Sequence, residues 1–157
     1  MKKAQRYTIG AIVEIPINKG EYFCYGQLLD HGECAVFDYR TRFPIDSFSV
    51  LEDVPTLFRV AIYRQIISQR DWVKVGALPI RQEYKVFPDQ YIYHEWDQSF
   101  YLYKIESGEI IPATKEQCYG LECCMVWDSN HVEDRIVAHY DNEPCPWLKE
   151  HYKLFPI

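Results

Sequence analysis

His31, Gly32 and Glu33 form the His-x-Glu half of the zinc-deaminase pattern, in which a histidine holds the metal and a glutamate moves protons. The other half of that pattern is Pro-Cys-x-x-Cys. Here Pro144 and Cys145 are followed by Pro146, Trp147 and Leu148, so the last thiolate is missing. Cys118, Cys123, Cys124, His131 and His139 carry the donor types that zinc prefers. Their spacing, C-x4-C-C-x6-H-x7-H, fits no common finger, and buried thiols with surface histidines are the expectation. His139 and Asp141 resemble a base and its orienting carboxylate, but no nucleophile is tied to them by spacing. Glu133 and Asp134 are helix neighbours and point in different directions, so they are expected to complement the helix dipole. The chain has no Gly-x-x-x-x-Gly-Lys-Ser/Thr loop, no Gly-x-Gly-x-x-Gly and no Gly-x-Ser-x-Gly. The expectation is a protein that is not an enzyme and takes no metal or cofactor.

These side chains sit in a chain of 157 residues, 48% apolar and 25% charged. A chain of this size buries roughly 70% of its unfolded surface, so residues 1–157 are read as one domain that needs no disulfide or metal staple. After Lys2 and Lys3 the residues Ala4 to Thr8 offer no apolar signal region, and no run approaches the roughly 20 apolar residues of a membrane span. A cytoplasmic location and six free thiols are therefore expected.

The elements read as strands first. Ala11–Ile17, Glu21–Leu29 and Glu33–Arg40 are apolar runs, separated by Asn18-Lys19-Gly20 and by Asp30-His31-Gly32. Short turns of this kind predict an antiparallel meander. Pro44 to Pro55 reads as a loop. Leu57–Tyr63 alternates, with Phe58, Val60 and Ile62 on one face. Arg64–Trp72 fits one helical turn, and Gly76 and Pro79 punctuate the stretch after it. A second meander comprises Tyr91–Trp96, Ser99–Ile105 and Ile110–Ala113, with Leu121–Trp127 as a further strand. Asn130–Tyr140 is the predicted helix, capped by Asn130 with Glu133 three residues on. Its stripe is Val132, Ile136 and Tyr140, and Pro144 and Pro146 end it. The fold class expected is α+β: a mostly antiparallel meander, curled or barrel-like, with a C-terminal helix packed on it.

Charge is uneven along the chain. Residues 1–88 carry a net +2, whereas residues 89–143 carry 3 basic and 12 acidic groups, a net −9. The acidic third also holds Tyr91, Tyr93, Trp96, Tyr101, Tyr103, Tyr119, Trp127 and Tyr140. This pattern fits a solvated face of a strand-rich protein, and it also fits a surface for a basic partner, with carboxylates that steer and aromatics that anchor. The turn between the two hairpin strands places Trp96 between Glu95 and Asp97, an exposed position that is hard to explain as core. Glu95, Trp96, Asp97 and Tyr93 are therefore the candidate binding residues. Glu106, Glu109, Asp128 and Asp134 are secondary acidic candidates. Of Glu95–Asp97 and Glu106–Glu109, only one turn is expected to reach a compact partner. The competing reading is a small β-rich module for nucleic acid or peptide, with aromatics stacked on bases. The −9 segment opposes a nucleic-acid ligand.

Ile9-Gly10-Ala11-Ile12-Val13-Glu14-Ile15-Pro16 followed by Tyr22-Phe23-Cys24-Tyr25-Gly26-Gln27-Leu28 resembles the opening of the immunity protein 26 family. Leu57-Phe58-Arg59-Val60-Ala61-Ile62, Trp72-Val73-Lys74-Val75-Gly76, Gly120-Leu121-Glu122, Val126-Trp127 and Val132-Glu133-Asp134-Arg135-Ile136 agree in order and spacing. The resemblance spans about residues 8 to 140. It implies a bacterial cytosolic protein encoded beside a polymorphic toxin, which it neutralises by binding. It carries over no catalytic residue and no contact motif. The partner implied is a cognate toxin domain from the adjacent gene. The charge alone suggests a basic one, with a nuclease as the class in view. No membrane and no nucleic-acid partner is expected.

Overall fold

A computed structural model describes residues 3–156. Strands β1 (Ala11–Ile17), β2 (Tyr22–Leu28), β3 (Glu33–Thr41) and β4 (Thr56–Ile62) form the predicted antiparallel meander. Asn18, Lys19 and Gly20 all adopt positive φ in the β1–β2 turn, which matches the right-handed twist of the hairpin they close. The full sheet has the order β5-β1-β2-β3-β4-β9. Register shifts in the β1/β5, β2/β3 and β3/β4 ladders bend it. It does not close, however: β5 (Val73–Ala77) and β9 (Val126–Trp127) are separate edges, and β9 runs parallel to β4. The barrel-like closure expected from sequence is thus replaced by an open mixed sheet.

This sheet is buried on both faces. Val13, Ile15 and Ile17 point towards helix α2 (Ser129–Tyr140), where they meet Val132 and Ile136. Ile12, Tyr25, Ala35 and Phe37 point the other way. The loop from Pro44 to Pro55 covers them with Leu51, and the 3-10 turn Gln82–Lys85 adds Tyr84. Covering on both sides explains why β2 and β3 read as near-continuous apolar runs. It also fixes Gly26, where an added Cβ would lie 2.7 Å from Cys34 Sγ and 3.1 Å from Ala35 O.

Several boundaries differ from the sequence reading. β5 was not anticipated, because five partly exposed residues that include Lys74 and Gly76 carry no clean alternation. Its place is fixed instead by glutamines. Gln5 accepts from Lys74 N at 3.1 Å, and Gln27 Nε2 donates to Gly10 O and Leu78 O at 3.1 and 2.7 Å. The predicted strand Leu121–Trp127 shrinks to the two residues of β9. Helix α2 starts one residue before Asn130, and its cap is Asp128, whose Oδ1 accepts from Ser129 N at 3.2 Å. Glu133 makes no capping box and turns inward instead. Tyr140 is only half-buried, its hydroxyl donating to Asp38 Oδ1 at 2.8 Å. Beyond Pro146, which opens a 3-10 turn, lies a further helix, α3 (Lys149–Leu154). A single turn, α1 (Gln65–Ser68), occupies the predicted Arg64–Trp72 region and buries Ile66 and Ile67.

The second meander forms its own sheet, β6 (Gln90–His94), β7 (Ser99–Tyr103) and β8 (Ile110–Ala113), in that order. Two backbone bonds join it to the segment before β9. Tyr91 N donates to Glu122 O at 3.0 Å, and Cys124 N donates to Tyr91 O at 2.8 Å. Arg135 on α2 grips Glu122 with both terminal nitrogens, at 2.8 and 2.9 Å. Its guanidinium also lies over Phe58 at 4.1 Å, so packing on the main sheet fixes where the small sheet sits.

Candidate partner-binding surface

The small sheet has two unlike faces, set by strand register. Directly paired residues share a face. Ile92 pairs with Tyr101, which pairs with Pro112, and Tyr103 pairs with Ile110. His94 and Trp96 continue this row, stacked with ring centroids 4.3 Å apart, and His94 lies 4.8 Å from Tyr101. Trp96 is 79% exposed and Ile110 57%. This outer face is aromatic, half-exposed at Ile92, His94 and Tyr101, and exposed at Trp96, Ile110 and Pro112. The inner row, Tyr91, Tyr93, Phe100 and Leu102, packs with Phe155 and Cys118.

The edge of the small sheet is blunted. Lys104 N donates to Glu109 O at 2.8 Å, which makes 104/109 a hydrogen-bonded pair. Alternation then turns the backbone nitrogens of Ile110 and Pro112 outward, and proline has no proton to offer. The β8 edge is therefore a poor template for strand addition.

Glu95, Trp96, Asp97 and Gln98 form the exposed tip between β6 and β7, as expected. The structure separates the four predicted binding residues. Asp97 shapes the turn: its Oδ1 accepts from Ser99 Oγ at 2.6 Å and from Ser99 N at 3.1 Å. The Ser99 hydroxyl is the main reason its carboxyl is held below the usual range. Trp96 belongs to the outer face. Tyr93 lies on the inner side, 4.8 Å from Phe100, and shares a cleft with Glu95. Tyr93 is thus no neighbour of Trp96.

That cleft has a volume of about 550 Å³ and opens between the β6–β7 hairpin and the C-terminal segment. Tyr91, Tyr93, Glu95 and Gln98 line one side. Trp147, Glu150, His151 and Lys153 come from the other, with Met125 and Leu154 between the polar groups. Tyr91 Oη and His151 Nδ1 lie 2.8 Å apart. Burial lowers the pKa of His151 below its ordinary value. The sequence reading missed this side because α3 lies beyond two prolines. Pro146 in the first turn was the available signal, since proline starts helical segments as readily as it ends them.

The secondary acidic residues scatter. Glu106 and Glu109 are exposed at the far end of β7 from the Trp96 tip. Asp128 caps α2, and Asp134 accepts from Trp147 Nε1 at 2.8 Å. The imagined metal ligands scatter too. Cys118 is buried beneath the small sheet, His131 packs on Trp147 at 3.9 Å, and His139 Nε2 lies 3.8 Å from Asp38 Oδ1. Glu33 is buried against Arg59, with Oε1 2.5 Å from Nε, and so is committed to the core. Among the described residues, no three His, Cys, Asp or Glu side chains are placed to hold a metal ion. Among the same residues, no helix is long and apolar enough to cross a membrane.

Comparison with family models matches immunity protein 26 over residues 8–102, more than half of the chain. The chain belongs to the immunity protein 26 family. The matched span holds β1 to β5 and the whole β6–β7 tip. The pieces Gly120-Leu121-Glu122, Val126-Trp127 and Val132–Ile136 lie outside it, as does the C-terminal side of the cleft. Comparisons with curated proteins and with solved structures return no match.

Proposed function

We propose that this protein is the stoichiometric inhibitor of a toxin domain encoded by the adjacent gene, acting as one domain in the cytoplasm of the producing cell. The toxin surface it meets is basic, and a nuclease domain is the class the charge favours. The observation that carries this reading is Trp96, 79% exposed on the outer face of a sheet within the −9 segment. An exposed tryptophan supplies a large buried area on binding at small conformational cost, and such residues dominate interface energies. Glu95 beside it adds long-range attraction, which raises association rates by about 10–10³-fold at low salt. An interface of roughly 800 Å² per partner with a few aromatic anchors reaches dissociation constants near 1 nM, or about −12 kcal/mol. Inhibition requires no chemistry from the inhibitor.

The test is surface-plasmon kinetics with the adjacent-gene toxin domain at two ionic strengths, alongside a toxicity assay. Wild type is expected to bind one to one, to block toxicity, and to associate more slowly as salt rises. Trp96→Ala is expected to raise the off-rate and to cost about 2 kcal/mol or more. Wild-type kinetics in Trp96→Ala would move the anchor elsewhere in residues 89–143. Failure of the wild type to bind the toxin, together with a shift of single-stranded DNA on a gel, would replace the reading.

A further inference from the structure

The 550 Å³ cleft on the inner side of the hairpin is used neither by the core nor by the Trp96 face. Its walls alternate aromatic and acidic groups. Tyr93 and Trp147 supply ring surface, and Glu95 and Glu150 supply carboxylates. Two basic side chains sit there as well. Burial lowers the pKa of His151, so it is neutral near pH 7. Lys153 bonds Glu150 at 3.1 Å, and both side chains are about three-quarters exposed, so this pair is loosely held. Met125, Leu148 and Leu154 leave an apolar interior behind the charged rim. A ligand that matches this order has an apolar stem and a planar cationic head. Arginine fits both: its methylenes cover apolar surface, and its guanidinium stacks on aromatic rings while forking onto a carboxylate.

We propose that the cleft receives an arginine side chain of the partner, seated between Tyr93 and Trp147 with its guanidinium on Glu95. This deepens the toxin-inhibitor reading and rests on it, and it makes the hairpin a ridge gripped from both sides. Trp96 inserts into the partner on one side, and the partner inserts an arginine on the other. Lys153, held on Glu150, adds a positive charge to the same cleft and weakens its attraction for a cation.

The test uses the full chain and two probes, N-acetyl-arginine amide and its neutral isostere N-acetyl-citrulline amide. Nitrogen–proton correlation spectra track the Trp147 indole and the Tyr93 amide. The arginine probe is expected to shift both in a saturable way, with the citrulline probe at least about tenfold weaker, the value of one charge-assisted bond. Glu95→Gln, an exposed and fold-neutral change, is expected to remove most of that preference. Lys153→Gln is expected to tighten the arginine probe about twofold by removing a like charge from the cleft. Equal response to the two probes, or shifts confined to other regions, overturns the proposal. Toxin kinetics separate the two readings. If Trp96→Ala weakens binding and Glu95→Gln and Tyr93→Leu leave the off-rate unchanged, the cleft proposal falls and the tip reading stands. If the cleft variants raise the off-rate and Trp96→Ala does not, the reverse holds. If the toxin domain does not bind at all, the inhibitor reading falls, and the arginine titration still decides the cleft.

Discussion

The indole Nε1 of Trp72 donates to Glu133 Oε2 at 3.0 Å, tying the end of the first half of the chain to helix α2. Trp72 is fully buried. Burial pushes the Glu133 carboxyl above its ordinary 4.5, against the Trp72 bond, which lowers it. A carboxyl raised in the folded state stabilises least once it ionises. Its contribution is therefore intact below pH 4.5 and is lost as pH rises through the folded value. Glu133→Gln keeps an oxygen for the indole and cannot ionise. Urea unfolding at about pH 4.5 and about pH 8 is expected to show the variant gaining on wild type at the higher pH. Glu133→Ala, which leaves the indole proton unpaired, is expected to cost about 1–3 kcal/mol at about pH 4.5 and less at about pH 8, where wild type has lost the carboxyl's contribution.

Ile136 is fully buried between α2 and the main sheet, whereas Asp134 is exposed and accepts from Trp147. Ile136→Ala is expected to cost about 2–5 kcal/mol through the cavity it leaves. Asp134→Ala is expected to cost about 0.5–1.5 kcal/mol, the value of one ordinary hydrogen bond. Denaturant titration of both variants checks the helical phase, and Trp147 fluorescence should respond only to the second.

Gly26→Ala drives a methyl into Cys34 Sγ at 2.7 Å. Overpacking of this kind is expected to cost about 1–3 kcal/mol. The nearest neighbour is a side chain and the next, at 3.1 Å, is the backbone Ala35 O, so Cys34→Ala in the same molecule should recover only part of the loss. Thermal melts of the two single variants and the double variant measure that coupling.

Asp97 combines a turn role with a charge, and two variants separate them. Asp97→Asn keeps an oxygen for Ser99 and removes the charge. It is expected to melt like wild type and to bind the toxin with a slower, less salt-sensitive on-rate. Asp97→Lys also loses both Ser99 bonds, so its melting temperature should fall as well.

All six cysteines are unpaired, and burial raises every thiol pKa, that of Cys24 to about 12. Cys123 and Cys124 are half-buried and the other four are buried. A thiol reagent at about pH 8 is expected to reach Cys123 and Cys124 slowly and the other four only after denaturation. The denatured total should be six.

The meander was legible because β1 to β4 are joined by turns whose residue types demand them. Asn18-Lys19-Gly20 is one, with positive φ at all three positions. The α2 stripe was legible from its helical period, apart from Tyr140, which lies half-buried at the last turn with its hydroxyl on Asp38. β5 was not legible, because an edge strand held by glutamines from distant segments has no local pattern. The open sheet was not legible either, since closure depends on where β9 docks, and β9 is two residues long. At the site, Trp96 could be read from its turn. The division of Trp96 from Tyr93 could not, because it depends on which residues pair across β6 and β7. The cleft required α3, which lies far down the chain from the hairpin it faces.

The apolar face formed by Val13, Ile15 and Ile17 is closed by Trp127, Val132 and Ile136, which lie far downstream. During synthesis the first four strands leave the ribosome well before their cover does. The roughly 80 residues between Ile62 and Tyr140 take about 4–16 s at about 5–20 residues per second. Ile66, Ile67 and Trp72 supply part of the cover soon after β4, and the rest of the face stays open until α2 is made. On the inhibitor reading proposed above, each new molecule gives a cell no protection until nearly the whole chain has been made. On that reading protection comes from copies finished earlier, which favours translating the chain steadily and in excess over making it on demand.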